Sequence, residues 1–73
     1  MATTPHISVA AAVAAAVKQA GTNPVALEEA TGIPRTTLRR SLDGRRPFKV
    51  DELYAIAETL GVDVRTFLVS DAA

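Results

Sequence analysis

The chain has 73 residues, a formal net charge of zero and no cysteine. A chain of this length forms at most one domain and buries only about 60% of its unfolded surface. The absence of cysteine excludes disulfides and thiolate metal sites and indicates a reducing compartment. The longest apolar run, from Val9 to Val17, is far shorter than the ~20 residues that span a bilayer. We therefore expect one soluble, cytoplasmic domain over residues 1–73.

The zero net charge hides an uneven distribution of charged residues. Six of the eight cations lie in fifteen consecutive residues that contain a single acid, Asp43. The rest of the chain has two cations and seven acids. A basic segment on an acidic body is typical of a surface that binds a negatively charged partner. The six cations are Arg35, Arg39, Arg40, Arg45, Arg46 and Lys49.

The spacing of apolar residues predicts five helices and no strand, so the fold class is all-α. Asn23 and Pro24 are a favourable helix start, and Asp63 is a candidate cap for a short last helix. Glycines at 21, 44 and 61 are placed to end the first, third and fourth helices. The predicted helices cover residues of about 6–20, 24–31, 35–42, 50–60 and 63–69.

Each predicted helix has an apolar stripe that we expect to face one core. Leu38 and Leu42 hold the third helix to that core, with Pro34 and Ser41 on the same side. The acidic pairs at 28–29 and 51–52 are expected to be solvated helix surface. The other expected inward residues are Val9, Val13, Ala16, Val17, Ala20, Val25, Leu27, Ala30, Val50, Leu53, Ile56, Ala57 and Leu60.

The sequence has no pattern typical of an enzyme. His6 is the only histidine and lies near the first residue of the chain. No glycine-rich phosphate loop and no metal-ligand spacing occur. Adjacent carboxylates on a helix point about 100° apart, so they do not converge as a catalytic pair would. We therefore predict no catalysis, no metal site and no cofactor.

The third predicted helix presents arginines opposite its apolar side. Apart from Arg39 and Asp43, these cations have no acid at the spacing that a salt-bridge lattice on one helix uses. Arginine has a planar fork of donors that suits phosphates and guanine edges better than the point charge of lysine. A short helix and a glycine turn precede it, which is the geometry of a helix that enters a DNA major groove.

The residues from Leu27 to Pro47, followed by those from Leu53 to Val62, resemble the lambda repressor and Cro-type helix-turn-helix family. The similarity rests on a Thr-Gly-Ile turn, a Thr-Leu pair, a Gly-Arg-Arg-Pro loop and an Ile-Ala-Glu-Thr-Leu-Gly-Val ending, in that order. It covers roughly residues 8–69. The resemblance implies a five-helix domain that binds operator DNA with its third helix, as in a phage or prophage repressor.

The resemblance also assigns site residues. Arg35, Thr36 and Arg40 match the family's base-contacting positions, and Arg39 lies beside them. Asn23 and Pro24 match positions that approach the DNA backbone, and the loop cations match a basic segment after the recognition helix. We assign phosphate binding to Asn23, Thr37, Arg45, Arg46 and Lys49.

Three residues depart from the family pattern. Glu28 replaces a small alanine, Pro34 replaces a serine cap, and Ser41 occupies a position that is normally apolar. We expect Leu42 to restore the packing that Ser41 removes. These departures bear on the tilt and register of the third helix.

The predicted function is sequence-specific binding of double-stranded DNA by a transcriptional repressor. A homodimer on two-fold symmetric sites is the default expectation. Its contacts would come from residues 63–69, where Phe67, Leu68 and Val69 lie, or from a second domain outside this chain. Two alternatives stay open, a protein-interaction module that docks an acidic partner and an antitoxin with the same fold.

Overall fold

The computed structural model describes the backbone of residues 5–68 and the side chains of residues 8–68. This part of the chain is all-helical and contains no strand. The predicted five-helix, all-α architecture is confirmed. None of the described helices has the length and apolar character needed to cross a membrane. The helices are α1 (Pro5–Gln19), α2 (Pro24–Thr31), α3 (Arg35–Leu42), α4 (Val50–Leu60) and α5 (Arg65–Leu68).

One apolar core lies between the helices. Helix α1 packs against α3 and α5, while α2 packs against α3 and α4. The short helix α5 contributes Phe67, which is 1% exposed and is among the largest fully buried side chains. This core holds α3 from one side only. Its buried residues are Val13, Val17, Leu27, Leu38, Leu53, Ile56, Ala57 and Phe67.

Several residues expected in the core are exposed at its edges. Val25 is 41% exposed and Val50 is 65% exposed, and each lies in the first turn of its helix, at the end of an apolar stripe. Ala30 is exposed as well, and Ala20 is exposed just beyond the last residue of α1. The prediction that these residues face the core was wrong at the helix ends. The apolar repeat continues into the end turns, but no neighbouring helix covers the side chains there.

The turn between α2 and α3 sets how α3 leaves the core. Gly32 has a φ of 80°, in the left-handed region that glycine tolerates best, and its N–H donates to the Glu28 carbonyl at 2.8 Å. The Thr31 hydroxyl donates to the Leu27 carbonyl at 2.7 Å and accepts from the Ile33 N–H at 3.2 Å. Because the backbone groups of the turn are satisfied locally, the direction of α3 is well defined.

Candidate nucleic-acid interface

Helix α3 has one buried side and one exposed basic side. Leu38 and Ser41 are both 0% exposed. Thr37 is half-buried at the boundary between the two sides. The exposed side lies within an arc of about 140°. All four predicted base-contacting residues lie on that exposed arc, namely Arg35, Thr36, Arg39 and Arg40.

Arg35 is held by an acid from α2. Its backbone N–H donates to Glu28 Oε2 at 3.0 Å, and its Nε donates to Oε1 at 3.3 Å. Its Nη2 lies 3.2 Å from the same Oε1. Pro34, at the N-cap position of α3, makes no side-chain capping bond. Glu28 therefore supplies the cap that the sequence of α3 lacks, and Arg35 is paired across the turn.

Arg46 lies in an intramolecular network between α3 and α4. Its Nη1 donates to Ser41 Oγ at 2.8 Å and to Glu52 Oε1 at 3.0 Å, while Nη2 donates to Glu52 Oε2 at 3.1 Å. Glu52 Oε1 also accepts the Lys49 backbone N–H at 2.9 Å. The side chains of Arg46 and Glu52 are 25% and 15% exposed. This bidentate pair connects the loop to the ends of both helices.

The Arg46 network changes the interpretation of two residues. Glu52 is not the solvated helix surface that the sequence indicated, because its carboxylate is mostly covered and accepts three hydrogen bonds. Ser41 was expected to lose packing that Leu42 restores. Instead Ser41 is itself fully buried with its hydroxyl satisfied, and Leu42 packs against the core while partly exposed.

The charges in this network shift both pKa values in the stabilising direction. Burial alone would raise the pKa of Glu52, but the hydrogen bonds from Arg46 and from the Lys49 backbone outweigh it and lower the pKa. The hydrogen bond to Glu52 raises the pKa of Arg46, against the opposing effect of burial. Both groups are therefore ionised at neutral pH.

Replacing Glu52 with glutamine should make the free energy of unfolding depend less on pH at acidic pH. The folded pKa of Glu52 lies below its unfolded value of about 4.3. Its contribution is therefore complete above that pH and is lost as the pH falls through the folded pKa. Urea unfolding from pH 7 to pH 3 should show a stability gap of roughly 1–2 kcal/mol between wild type and Glu52→Gln that narrows below about pH 4.

The control for this titration is Asp51→Asn, since Asp51 is the exposed neighbouring acid at the same helix end. The free energy of unfolding of Asp51→Asn should stay within about 0.5 kcal/mol of the wild-type value at every pH. A Glu52→Gln profile parallel to wild type down to pH 3 would show that the Arg46–Glu52 pair does not stabilise the fold.

Four cations of the basic segment have no salt bridge within the described part of the chain. Two of them, Arg39 and Arg40, lie on the exposed side of α3, and two, Arg45 and Lys49, lie exposed in the loop that follows. Each of these side chains is free to contact an anion without losing an intramolecular ion pair.

Asn23 lies at the N-terminal end of α2 and already has one defined role. Its Oδ1 accepts the Ala26 N–H at 2.9 Å, which caps the helix. Its side-chain amide keeps two N–H donors. Among the predicted phosphate-binding residues, Asn23 therefore combines a structural role with spare donors.

Helix α3 follows α2 across a glycine turn and exposes its basic side. This is the architecture of a DNA recognition helix. A family model described as helix-turn-helix matches residues 13–67. The chain belongs to the lambda repressor-like helix-turn-helix family. The matched region includes α2, the turn and α3. It supports the general function of a DNA-binding transcription regulator. Comparisons with curated proteins and with solved structures gave no significant match.

The predicted site residues differ in whether they have an acidic partner within the protein. Arg39, Arg40, Arg45 and Lys49 are exposed cations, as expected for contacts with DNA. Arg35 and Arg46 instead have acidic partners from other elements. The sequence offered a clue in Glu28, which replaces the alanine usual at its position. The sequence gave no comparable sign that Glu52 pairs with Arg46. An acidic residue in the first turn of a helix is common because of the helix dipole, so Glu52 needed no further explanation.

Proposed function

We propose that this protein is a sequence-specific repressor of transcription that binds double-stranded operator DNA and inserts α3 into the major groove. The observation that carries the proposal is the two-sided character of α3. Leu38 and Ser41 are fully buried on one side, while three arginines and a threonine are exposed on the other. An exposed helix with this many donors matches the acceptor-rich edge of guanine.

The residues divide into two functional groups in this proposal. Arg35, Thr36, Arg39 and Arg40 contact base edges, which specifies sequence. Phosphates are contacted by Arg45, Lys49, Thr37 and the Asn23 amide, and these contacts add affinity for any duplex. Arg46 is no longer assigned to phosphate binding, because three of its five N–H donors are engaged with Ser41 and Glu52 and its charge is paired with Glu52. Its role becomes that of holding the loop in place.

Two copies are proposed to bind half-sites about 34 Å apart, as expected for this type of domain. Of the candidate contact residues at 63–69, Phe67 is buried in the core of its own chain, so it is not available to a partner. Leu68 is 54% exposed and remains the candidate, while Val69 lies outside the described residues. Because the target is operator DNA, we place the protein in the cytoplasm.

Fluorescence titration of the wild-type protein against short duplexes of varied sequence tests this function. We expect sequence-graded binding that weakens with salt. With two cations on phosphates per copy, Arg45 and Lys49, the slope of log K against log salt should be about −1.8 per copy. Salt-sensitive binding that ignores sequence would replace the proposal with a nucleoid-type role. No binding to any duplex would favour a module that docks an acidic protein.

A further inference from the structure

Glu28 and Arg35 form a defined unit at the start of α3. Glu28 Oε2 accepts the Arg35 backbone N–H, and Oε1 accepts its Nε, with Nη2 at 3.2 Å from Oε1. The Arg35 side chain nevertheless stays 50% exposed, and that of Glu28 is 35% exposed. The guanidinium is therefore oriented by the protein while part of it faces solvent.

The contacts occupy one edge of the Arg35 guanidinium and leave another edge open. A guanidinium has five N–H donors in a rigid fork. Glu28 takes the edge made by Nε and Nη2, so the Nη1–Nη2 edge keeps two parallel donors. Guanine presents two acceptors, O6 and N7, that match such an edge. The open edge therefore has the geometry for guanine.

The charge of the pair distinguishes a base contact from a phosphate contact. A carboxylate beside Arg35 offsets its positive charge, which weakens the attraction of the pair for a phosphate. The hydrogen-bonding geometry of the open edge is unchanged by that offset. Glu28 therefore favours a contact that depends on directional hydrogen bonds over one that depends on net charge.

We propose that Glu28 is a positioning residue that fixes Arg35 for guanine, so that Arg35 binds O6 and N7 through its Nη1–Nη2 edge. This inference rests on the proposed function, because it assumes that α3 lies in the major groove. Glu28 acts through Arg35 and also through the backbone of α3, since the same carboxylate caps the helix on which the other arginines lie.

The test compares Glu28→Ala with Glu29→Ala. Glu29 is the exposed neighbouring acid on α2, so its loss changes the local charge equally. The base pair contacted by Arg35 is defined first, as the one at which Arg35→Ala loses its preference for guanine. At that base pair Glu28→Ala should lower the discrimination roughly fivefold, whereas Glu29→Ala should leave it unchanged. Both variants should bind random duplexes at least as well as wild type, because each removes a negative charge.

A double mutant separates positioning from simple loss of stability. Adding Glu28→Ala to Arg35→Ala should cause no further change in base preference at the Arg35 base pair, because Glu28 sets that preference through the Arg35 side chain. Loss of the α3 cap in the double mutant should instead change the affinity for all duplexes alike. Binding is measured at a temperature at which circular dichroism shows every variant folded. A Glu28→Ala protein that keeps or sharpens its preference for guanine would overturn the inference and leave the proposed function standing. Wild-type protein without sequence preference would overturn both.

Discussion

Arg46→Ala should lower the free energy of unfolding by about 2–3 kcal/mol and the Tm by roughly 10 °C or more. The substitution removes three donors at once, and it leaves the buried Ser41 hydroxyl and the covered Glu52 carboxylate without their partner. Loss of one partner from a fully buried ion pair costs about 3–5 kcal/mol. The cost expected for Arg46→Ala is lower than this, because the Arg46 side chain is 25% exposed and some water reaches the pair.

Arg45→Ala is the matched control for this prediction, since Arg45 is the adjacent arginine and is exposed. Its stability should change by no more than about 0.5 kcal/mol. Its binding to all duplexes should weaken alike, and its salt slope should become shallower by about 0.9 per copy. Urea denaturation of both variants beside wild type measures the stability contrast. Equal stability of the two variants would contradict the structural role of Arg46.

Arg40→Ala should lower discrimination at one base pair by about 1–3 kcal/mol while leaving stability unchanged. Arg40 lies exposed on α3, and it has no ion pair in the described part of the chain that would hold it away from DNA. Its guanidinium can therefore form both hydrogen bonds to a guanine without first losing an internal partner. The measurement is a competitive titration in which each base pair of a bound duplex is replaced in turn.

Arg45→Ala again provides the comparison for Arg40→Ala, because both remove one positive charge from the same surface. The Arg45→Ala protein should lose affinity by a similar factor for every duplex, which is the behaviour of a phosphate contact. The Arg40→Ala protein should lose its affinity mainly for the preferred duplex. Uniform losses for both variants would remove Arg40 from the base-contacting group.

The fold was predictable because its signals are local. The apolar period of 3.6 residues and the helix start signals at Asn23 and Asp63 act within a few residues of where they occur. Asn23 caps α2 by accepting the Ala26 N–H at 2.9 Å, and the Asp63 carboxylate accepts the Arg65 N–H at 2.9 Å where α5 begins. Exposure at the helix ends was not predictable in this way. Val50 continues the stripe of α4 and is still 65% exposed, because burial there depends on neighbouring helices.

The ion pairs of the candidate site were not predictable from helical spacing. The i to i+4 rule finds partners on one helix, and it correctly finds few for these arginines. The acids that pair with Arg35 and Arg46 come from different elements, seven residues before and six residues after them. Such pairs depend on how the turn and the loop direct α2 and α4, and that direction is a tertiary property.

The central claim is that the exposed side of α3 selects a DNA sequence, and selection of bound duplexes from a random pool tests it most directly. The wild-type protein is predicted to enrich a two-fold symmetric motif with guanines in each half-site, because arginines dominate that side of the helix. The same selection with Arg40→Ala should lose one guanine position per half-site. A bound pool without an enriched motif would contradict the account.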